Sequence, residues 1–188
     1  MREFITVPNM VTGGNLTAGF LALLSAQTNL LLAVILVAFA AGLDSVDGIV
    51  ARRSASNALF GANLDSLADL VSFGVVPALA LYVGLVHTLS VLGLAVCLGF
   101  LLCGAWRLAR FPMVKQSRCF VGLPIPPAGL AVMLLAVWGT SPALALLVTF
   151  ALSLLMVSDL PFPTLPFCLE CMISIPRRSA NRWFPRHR

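Results

Sequence analysis

The chain has 188 residues, of which 60% are hydrophobic and only 10% are charged, whereas an ordinary soluble domain has about 25% charged residues. Such a chain has too few polar side chains to cover a water-exposed surface, so a soluble monomer, a disordered chain and a collagen-like chain are excluded. The apolar runs are continuous rather than alternating, which excludes a membrane β-barrel. The composition therefore predicts an all-α, polytopic membrane protein.

Six apolar segments follow one another along the chain, each near the ~20 residues that a membrane-spanning helix needs. They cover residues 10–27, 30–53, 58–84, 88–111, 122–138 and 142–158. The breaks between them are short, so we expect neighbouring helices to be antiparallel. Pro124, Pro126 and Pro127 fall early in the fifth segment and predict a loop or re-entrant stretch before that helix.

All twelve Lys and Arg residues lie on one side of this arrangement. They precede the first segment, or lie at the end of or after the second, fourth and sixth, while the loops near residues 28, 87 and 140 have none. The positive-inside rule then places both termini and the basic loops in the cytoplasm. We divide the chain into a transmembrane domain, residues 1–166, and a basic cytoplasmic tail, residues 167–188.

Four of the seven acids lie between Asp44 and Asp69, in a sequence that otherwise excludes charge. One helical face is predicted to carry four residues at i, i+3, i+4 and i+7, namely Asp44, Asp47, Gly48 and Ala51. A face of the next helix carries Gly61, Asp65 and Asp69, which are spaced by four. If these faces meet, four carboxylates converge near the cytoplasmic ends of the second and third segments, where intramembrane acids usually mark a function.

Divalent cations resolve the repulsion that four neighbouring carboxylates would otherwise have. Oxygen ligands without nearby cysteine or histidine favour Mg²⁺, Mn²⁺ or Ca²⁺. Two such ions ~4 Å apart recur in enzymes of phosphoryl displacement, and Arg52 can stabilise a phosphate beside them. The site is therefore interpreted as a metal-dependent phosphoryl-transfer centre.

Two other interpretations of the acids stay open at this point. Buried ion pairs would need four basic partners, and the window offers only Arg52 and Arg53. A cation carrier or channel also uses intramembrane acids, but a pathway needs polar groups across the full membrane depth. Here the acids cluster at one face, which disfavours a pathway.

The spacing D-x2-D-G-x2-A-R-x8-G-x3-D-x3-D from Asp44 to Asp69 resembles the signature of the CDP-alcohol phosphatidyltransferase family. The segments PNMVTGGN (8–15), LDSLADLVSFG (64–74), RLARF (107–111), FVGLPIPPA (120–128) and MVSDLPFP (156–163) resemble this family too, in particular its phosphatidylserine synthase branch. The resemblance covers about residues 7–165. It implies a six-helix bundle that moves a phosphatidyl group from CDP-diacylglycerol to a hydroxyl and releases CMP, in a bacterial or archaeal cytoplasmic membrane.

The resemblance also implies roles for single residues. Two metal ions, Mg²⁺ or Mn²⁺, would be bound by Asp44, Asp47, Asp65 and Asp69, and Asp69 would in addition be the general base on the acceptor hydroxyl. The CDP-binding residues would be Asn9, Thr12, Gly48, Ala51, Arg52 and Gly61. A homodimer is expected because members of this family form one.

L-Serine is the acceptor that the resemblance favours. Members that use glycerol 3-phosphate usually have Arg where this chain has Asn15, because a phosphate-bearing acceptor needs an extra cation. Arg107 and Arg110, at i and i+3 beside the acidic face, are the predicted ligands for the serine carboxylate or a phosphate. The same chemistry with glycerol 3-phosphate is the alternative.

Overall fold

The computed structural model of the chain describes residues 7–51, 58–114 and 123–158, and all regular structure in these ranges is helical. The α-helices are α1 (Val7–Ser25), α2 (Leu30–Ala51), α3 (Ala58–Asp69), α4 (Val76–Leu81), α5 (Ser90–Val114), α6 (Ile125–Val137) and α7 (Pro142–Val157). The all-α prediction is confirmed. The predicted tail, residues 167–188, lies outside the described residues.

The third predicted segment is one helical run whose pitch changes along its length. A π-helical turn, Leu70–Val75, joins α3 to α4, and a second π turn, Tyr82–Val86, and a 3₁₀ turn, His87–Leu89, follow α4. Pro77 has no N–H group and its ring would clash with the carbonyl of Phe73 in a regular α-helix. The wider π turn before this proline, in which the Val76 N–H donates to the Val71 carbonyl, accommodates it.

The prolines of the fifth predicted segment mark the start of a helix. α6 begins at Ile125, with prolines among its first residues, where the missing N–H group would have no intrahelical partner in any case. Leu123 and Pro124 precede it in non-helical conformation, and the Leu123 N–H donates to the carbonyl of Leu155 in α7 at 3.3 Å. The residues just before Leu123 lie outside the described ranges, so the predicted loop or re-entrant stretch ahead of this helix stays a prediction.

Small residues line the contacts between helices. α1 buries Ala18 and Ala22, Ala26 is buried in the turn that follows, and α2, which packs against α1, buries Ala33 and Ala40. Such small side chains let helix backbones approach closely, which is how helices associate where lipid removes the hydrophobic driving force.

Two further contacts show how close this approach is. A Cβ atom on Gly129 of α6 would lie 2.5 Å from the carbonyl oxygen of Phe73 in the first π turn. On α1, a Cβ atom on Gly19 would collide with the side chain of Ser72 in the same turn. The π turn is therefore held between α1 and α6, directly after the last acid of the α3 face.

Large apolar side chains cover the outside of the bundle, including Val91 at 77% and Trp138 at 76% exposed. Two helical runs are long and apolar enough to cross a membrane, Phe60–Leu89 and Val91–Arg110, and three shorter apolar helices are Leu30–Val46, Ile125–Val137 and Pro142–Val157. An apolar exterior around a bundle of helices is the arrangement of a membrane protein. The count of six membrane crossings stays a prediction.

Candidate metal centre

Three of the predicted acids meet where α2 and α3 pack together. Each of Asp44, Asp65 and Asp69 offers one carboxylate oxygen, and these oxygens all lie within 4.8 Å of one another. The side chains of Asp44 and Asp69 are within hydrogen-bonding reach. Asp69 is the most enclosed of the three, at 8% exposed, whereas the other two are half-buried.

Helix geometry explains this convergence. Asp65 and Asp69 are four residues apart in α3 and therefore project from the same face. Asp44 lies in the second half of α2 and reaches the same point from the neighbouring helix. Asp47 belongs to α2 as well, and its side chain lies outside the described part of the structure.

The donor set fits a hard divalent cation. Three carboxylates at this separation repel one another unless protons or cations compensate their charge. All three ligand atoms are carboxylate oxygens, the donors that Mg²⁺, Mn²⁺ and Ca²⁺ prefer. The arrangement can therefore hold a divalent metal ion.

Asn15 of α1 contacts the acidic cluster from a third direction. Its Nδ2 donates to Oδ1 of Asp69 at 3.3 Å, and its backbone carbonyl accepts from the Ser72 hydroxyl at 3.2 Å. The sequence predicts for Asn15 only an influence on acceptor choice, and it predicts no role for Ser72. Their polarity inside apolar segments was the available signal, because buried polar side chains are normally hydrogen-bonded.

The two predicted arginines have different environments. Arg107 in α5 is half-buried and close enough to Asp69 for an electrostatic interaction. Its Nε is buried and has no hydrogen-bond partner among the described residues. Arg110, one turn further on, is exposed. The structure thus brings Arg107 to the acidic cluster and leaves Arg110 at the surface.

The predicted CDP-binding residues fall into two groups. Asn9 and Gly61 lie at the contact between α1 and α3, where a Cβ atom on Gly61 would be 3.1 Å from Oδ1 of Asn9, and Thr12 is one turn after Asn9 in α1. Thr12 is buried and Asn9 is half-buried. Gly48 and Ala51 belong to the last turns of α2, with side-chain positions outside the described part, and Arg52 lies outside the described residues.

Known proteins are similar in sequence to this chain over most of its length. The family model described as CDP-alcohol phosphatidyltransferase matches residues 5–171. The chain is 37% identical over 166 residues to the CDP-diacylglycerol–serine O-phosphatidyltransferase of Methanocaldococcus jannaschii, covering 88% of this chain and 78% of that protein. The protein of the same name from Bacillus subtilis is 38% identical over 160 residues, or 84% and 89% of the two chains. The archaetidylserine synthase of Methanothermobacter thermautotrophicus is 36% identical over 168 residues, or 87% and 72%.

Proposed function

Because the chain belongs to the CDP-alcohol phosphatidyltransferase family, we propose that it transfers the phosphatidyl group of CDP-diacylglycerol to the hydroxyl of L-serine, giving phosphatidylserine and CMP. The observation that carries this proposal is the meeting of Asp44, Asp65 and Asp69 within 4.8 Å. Relatives named as serine phosphatidyltransferases, similar over most of both chains, support serine as the acceptor.

The acidic cluster would hold the metal. In this proposal two divalent ions, Mg²⁺ or Mn²⁺, are bound by Asp44 and Asp47 of α2 and by Asp65 and Asp69 of α3. Ions bound there would neutralise the diphosphate charge and make CMP a better leaving group. The donor chemistry supports this assignment, because the described cluster consists of carboxylate oxygens alone.

Asp69 is the proposed general base. A serine hydroxyl is a weak nucleophile until a base takes its proton in the transition state. The Asp69 carboxylate accepts that proton while the serine oxygen forms a bond to the phosphorus of the phosphatidyl group. The bond from that phosphorus to the CMP oxygen breaks, and CMP leaves with the electron pair. Asp69 suits this role because it is the most enclosed acid of the cluster.

Arg107 is the proposed contact for the acceptor carboxylate or for a phosphate. A guanidinium presents a planar fork of donors that matches either group. Two observations support this role for Arg107. Its Nε is buried without a hydrogen-bond partner among the described residues, and its guanidinium interacts electrostatically with Asp69. Arg110 is exposed and would meet a phosphate only from the outer edge.

The CDP moiety is proposed to bind near the N-terminal ends of α1 and α3 and the C-terminal end of α2. Asn9, Thr12 and Gly61 would contact it from one side, and Gly48, Ala51 and Arg52 from the other. The contact of Gly61 with Asn9, whose Oδ1 would lie 3.1 Å from a Cβ atom at position 61, supports the grouping of these two residues in one site. The lipid chains would remain in the bilayer against the apolar exterior of the bundle.

The decisive experiment measures CMP release and lipid product with the purified protein, CDP-diacylglycerol and Mn²⁺ or Mg²⁺. L-Serine and glycerol 3-phosphate are added in separate reactions. We expect serine-dependent CMP release together with phosphatidylserine. Release with glycerol 3-phosphate alone would transfer the assignment to the alternative acceptor, and no metal-dependent release with any alcohol would overturn the enzyme assignment.

The lipid group of the CDP-linked donor is tested separately from the acceptor. One relative is named as an archaetidylserine synthase. The kcat/KM of the protein is therefore measured with CDP-diacylglycerol and with its archaetidyl counterpart. We propose the diacylglycerol form as the preferred donor. A higher kcat/KM with the archaetidyl form would contradict this preference.

The proposed orientation places both termini and the acidic cluster in the cytoplasm. The one-sided distribution of basic residues supports it. A reporter that is active only in the cytoplasm should work when fused after Arg188 and fail when fused after Thr140. The opposite pattern would reverse the topology.

A homodimer is the proposed assembly, and the chain is proposed to divide into the domain 1–166 and the basic tail 167–188. Light scattering of the detergent-solubilised protein should give twice the mass of one chain, and a monomeric mass would contradict the dimer. A chain truncated after residue 166 should retain serine-dependent CMP release. Its loss in a folded truncated protein would contradict the domain boundary.

A further inference from the structure

A completely buried amide lies against the proposed general base. We infer that Asn15 is a positioning residue, which holds the carboxylate of Asp69 in its productive orientation through Nδ2. This inference rests on the proposed function, since it assigns Asn15 to the same reaction. It does not require Asn15 to touch either substrate.

Asn15 connects α1 to the end of α3, through Asp69, and to the π turn that follows, through Ser72. The side chain is 0% exposed, and its Nδ2 donates to Oδ1 of Asp69 across a sequence separation of 54 residues, at 3.3 Å. Its backbone carbonyl accepts from the hydroxyl of Ser72 at 3.2 Å. Gly19, one turn further along α1, lies directly against Ser72. These contacts keep the amide in one place relative to Asp69.

The orientation of the amide follows from the charge of its neighbour. Nδ2 is a donor and Oδ1 is an acceptor, so only Nδ2 can bond favourably to a carboxylate oxygen. In this orientation Oδ1 of Asn15 is buried and has no hydrogen-bond partner among the described residues. An unpaired buried acceptor destabilises a fold, and leucine, of similar shape, would not have this cost. What the amide supplies, and a leucine of the same size cannot, is a hydrogen-bond donor to Oδ1 of Asp69.

A donor at this point limits the movement of the carboxylate. With Oδ1 of Asp69 bound to Asn15, rotation of the carboxylate group would break a hydrogen bond to a charged acceptor. The second oxygen therefore keeps one orientation toward the acceptor hydroxyl. Positioning matters because a displacement of about 1 Å in a catalytic group can reduce the rate by about 100-fold.

The test compares Asn15→Leu and Asn15→Asp with the wild-type protein in the serine-dependent CMP assay. Leucine keeps the shape and removes the donor, and aspartate keeps the shape but replaces the donor with an acceptor. We expect kcat to fall about 10- to 100-fold in both variants, with KM for serine and CDP-diacylglycerol within about threefold of wild type. The matched controls are Asn63→Leu and Asn63→Asp, at an exposed asparagine of α3, and these should keep the wild-type kcat.

A second readout does not depend on turnover. Mn²⁺ is added to each protein and its electron paramagnetic resonance spectrum is recorded, because a reoriented Asp69 carboxylate would change the symmetry of a bound ion. We expect the spectrum to differ between wild type and Asn15→Leu and to be unchanged in Asn63→Leu. If Asn15→Leu does not fold in detergent, Asn15→Asp decides in its place.

The possible results distinguish failure of the positioning role of Asn15 from failure of the proposed transferase function. An active wild-type protein whose folded Asn15 variants keep kcat within about threefold overturns the positioning role and leaves the proposed function intact. A raised KM for serine with unchanged kcat also overturns it, because Asn15 would then be a substrate contact. A wild-type protein that releases no CMP with any alcohol refutes the proposed function itself, before any variant is compared.

Discussion

Asp44 and Asp69 belong to different helices, yet their carboxylates lie within hydrogen-bonding reach of each other. α2 carries Asp44 and α3 carries Asp69, and Asp65 of α3 joins them within 4.8 Å. Carboxylates come this close only where protons or cations compensate their charge. The proximity of this pair therefore favours a metal-binding site at the junction of the two helices over a simple polar surface.

Replacing either acid by its amide should remove activity and leave the fold in place. Asp69→Asn removes the base and a metal ligand, and Asp44→Asn removes a ligand, so we expect kcat to fall at least about 100-fold in each. Glu3→Gln, outside the acidic window, is the control. The measurement is serine-dependent CMP release by protein that elutes as a single peak in detergent. Substantial turnover by Asp69→Asn would rule out its role as base.

Removal of divalent ions should stop the reaction reversibly. The three clustered carboxylates supply only hard oxygen ligands, which bind Mg²⁺ and Mn²⁺ through exchangeable bonds. EDTA should therefore abolish CMP release, and added Mn²⁺ or Mg²⁺ should restore it, while Zn²⁺ should restore less. Full activity in excess EDTA would argue against a metal-dependent reaction.

The two arginines should respond differently to substitution by lysine. Arg107 is half-buried and interacts electrostatically with Asp69, so Arg107→Lys loses the forked geometry and should raise KM for serine about tenfold or more. Arg110 is exposed, and Arg110→Lys should change KM less than about threefold. Steady-state kinetics with serine varied at saturating CDP-diacylglycerol measure both. Equal effects at the two positions would contradict the separation that the structure indicates.

A methyl group at Gly61 should weaken binding of the nucleotide lipid. The Cβ atom of Gly61→Ala would lie 3.1 Å from Oδ1 of Asn9, and both residues belong to the proposed CDP site. We expect KM for CDP-diacylglycerol to rise by about an order of magnitude, with KM for serine unchanged. Gly42→Ala in α2, where a Cβ atom would meet nothing within 4 Å, is the control. An unchanged KM for CDP-diacylglycerol would remove Gly61 from the site.

The contact between α6 and the π turn should be sensitive to a single methyl group. The Cβ atom of Gly129→Ala would lie 2.5 Å from the carbonyl oxygen of Phe73, so the helices must separate, at a cost of about 1–3 kcal/mol. Gly99→Ala has open space around its Cβ atom and should be neutral or stabilising by about 0.5–1 kcal/mol. Thermal unfolding in detergent compares the two. Equal unfolding midpoints would show that this close contact is not needed for stability.

Much of the fold could be predicted because membrane helices follow directly from composition. Long apolar runs and short polar breaks locate helices without knowledge of their neighbours, since every backbone group must be bonded inside the helix itself. The end of the third segment was the main difference, because the helix continues past residue 84 to Leu89. Pro77 does not end the helix, because the π turn before it accommodates the proline ring. Sequence rules for regular α-helices do not predict such a turn.

The sequence by itself determined the helical class of this protein and the acids of its site, because helical periodicity places Asp65 and Asp69 on one face and the scarcity of charge singles out Asp44. Only the tertiary structure decided that Asn15 reaches Asp69, that Arg107 is close to the cluster while Arg110 is exposed, and that Ser72 holds α1. These contacts depend on how α1 and α5 rotate and slide against α3. That arrangement is set by the packing of small residues such as Gly19 rather than by periodicity along any one segment.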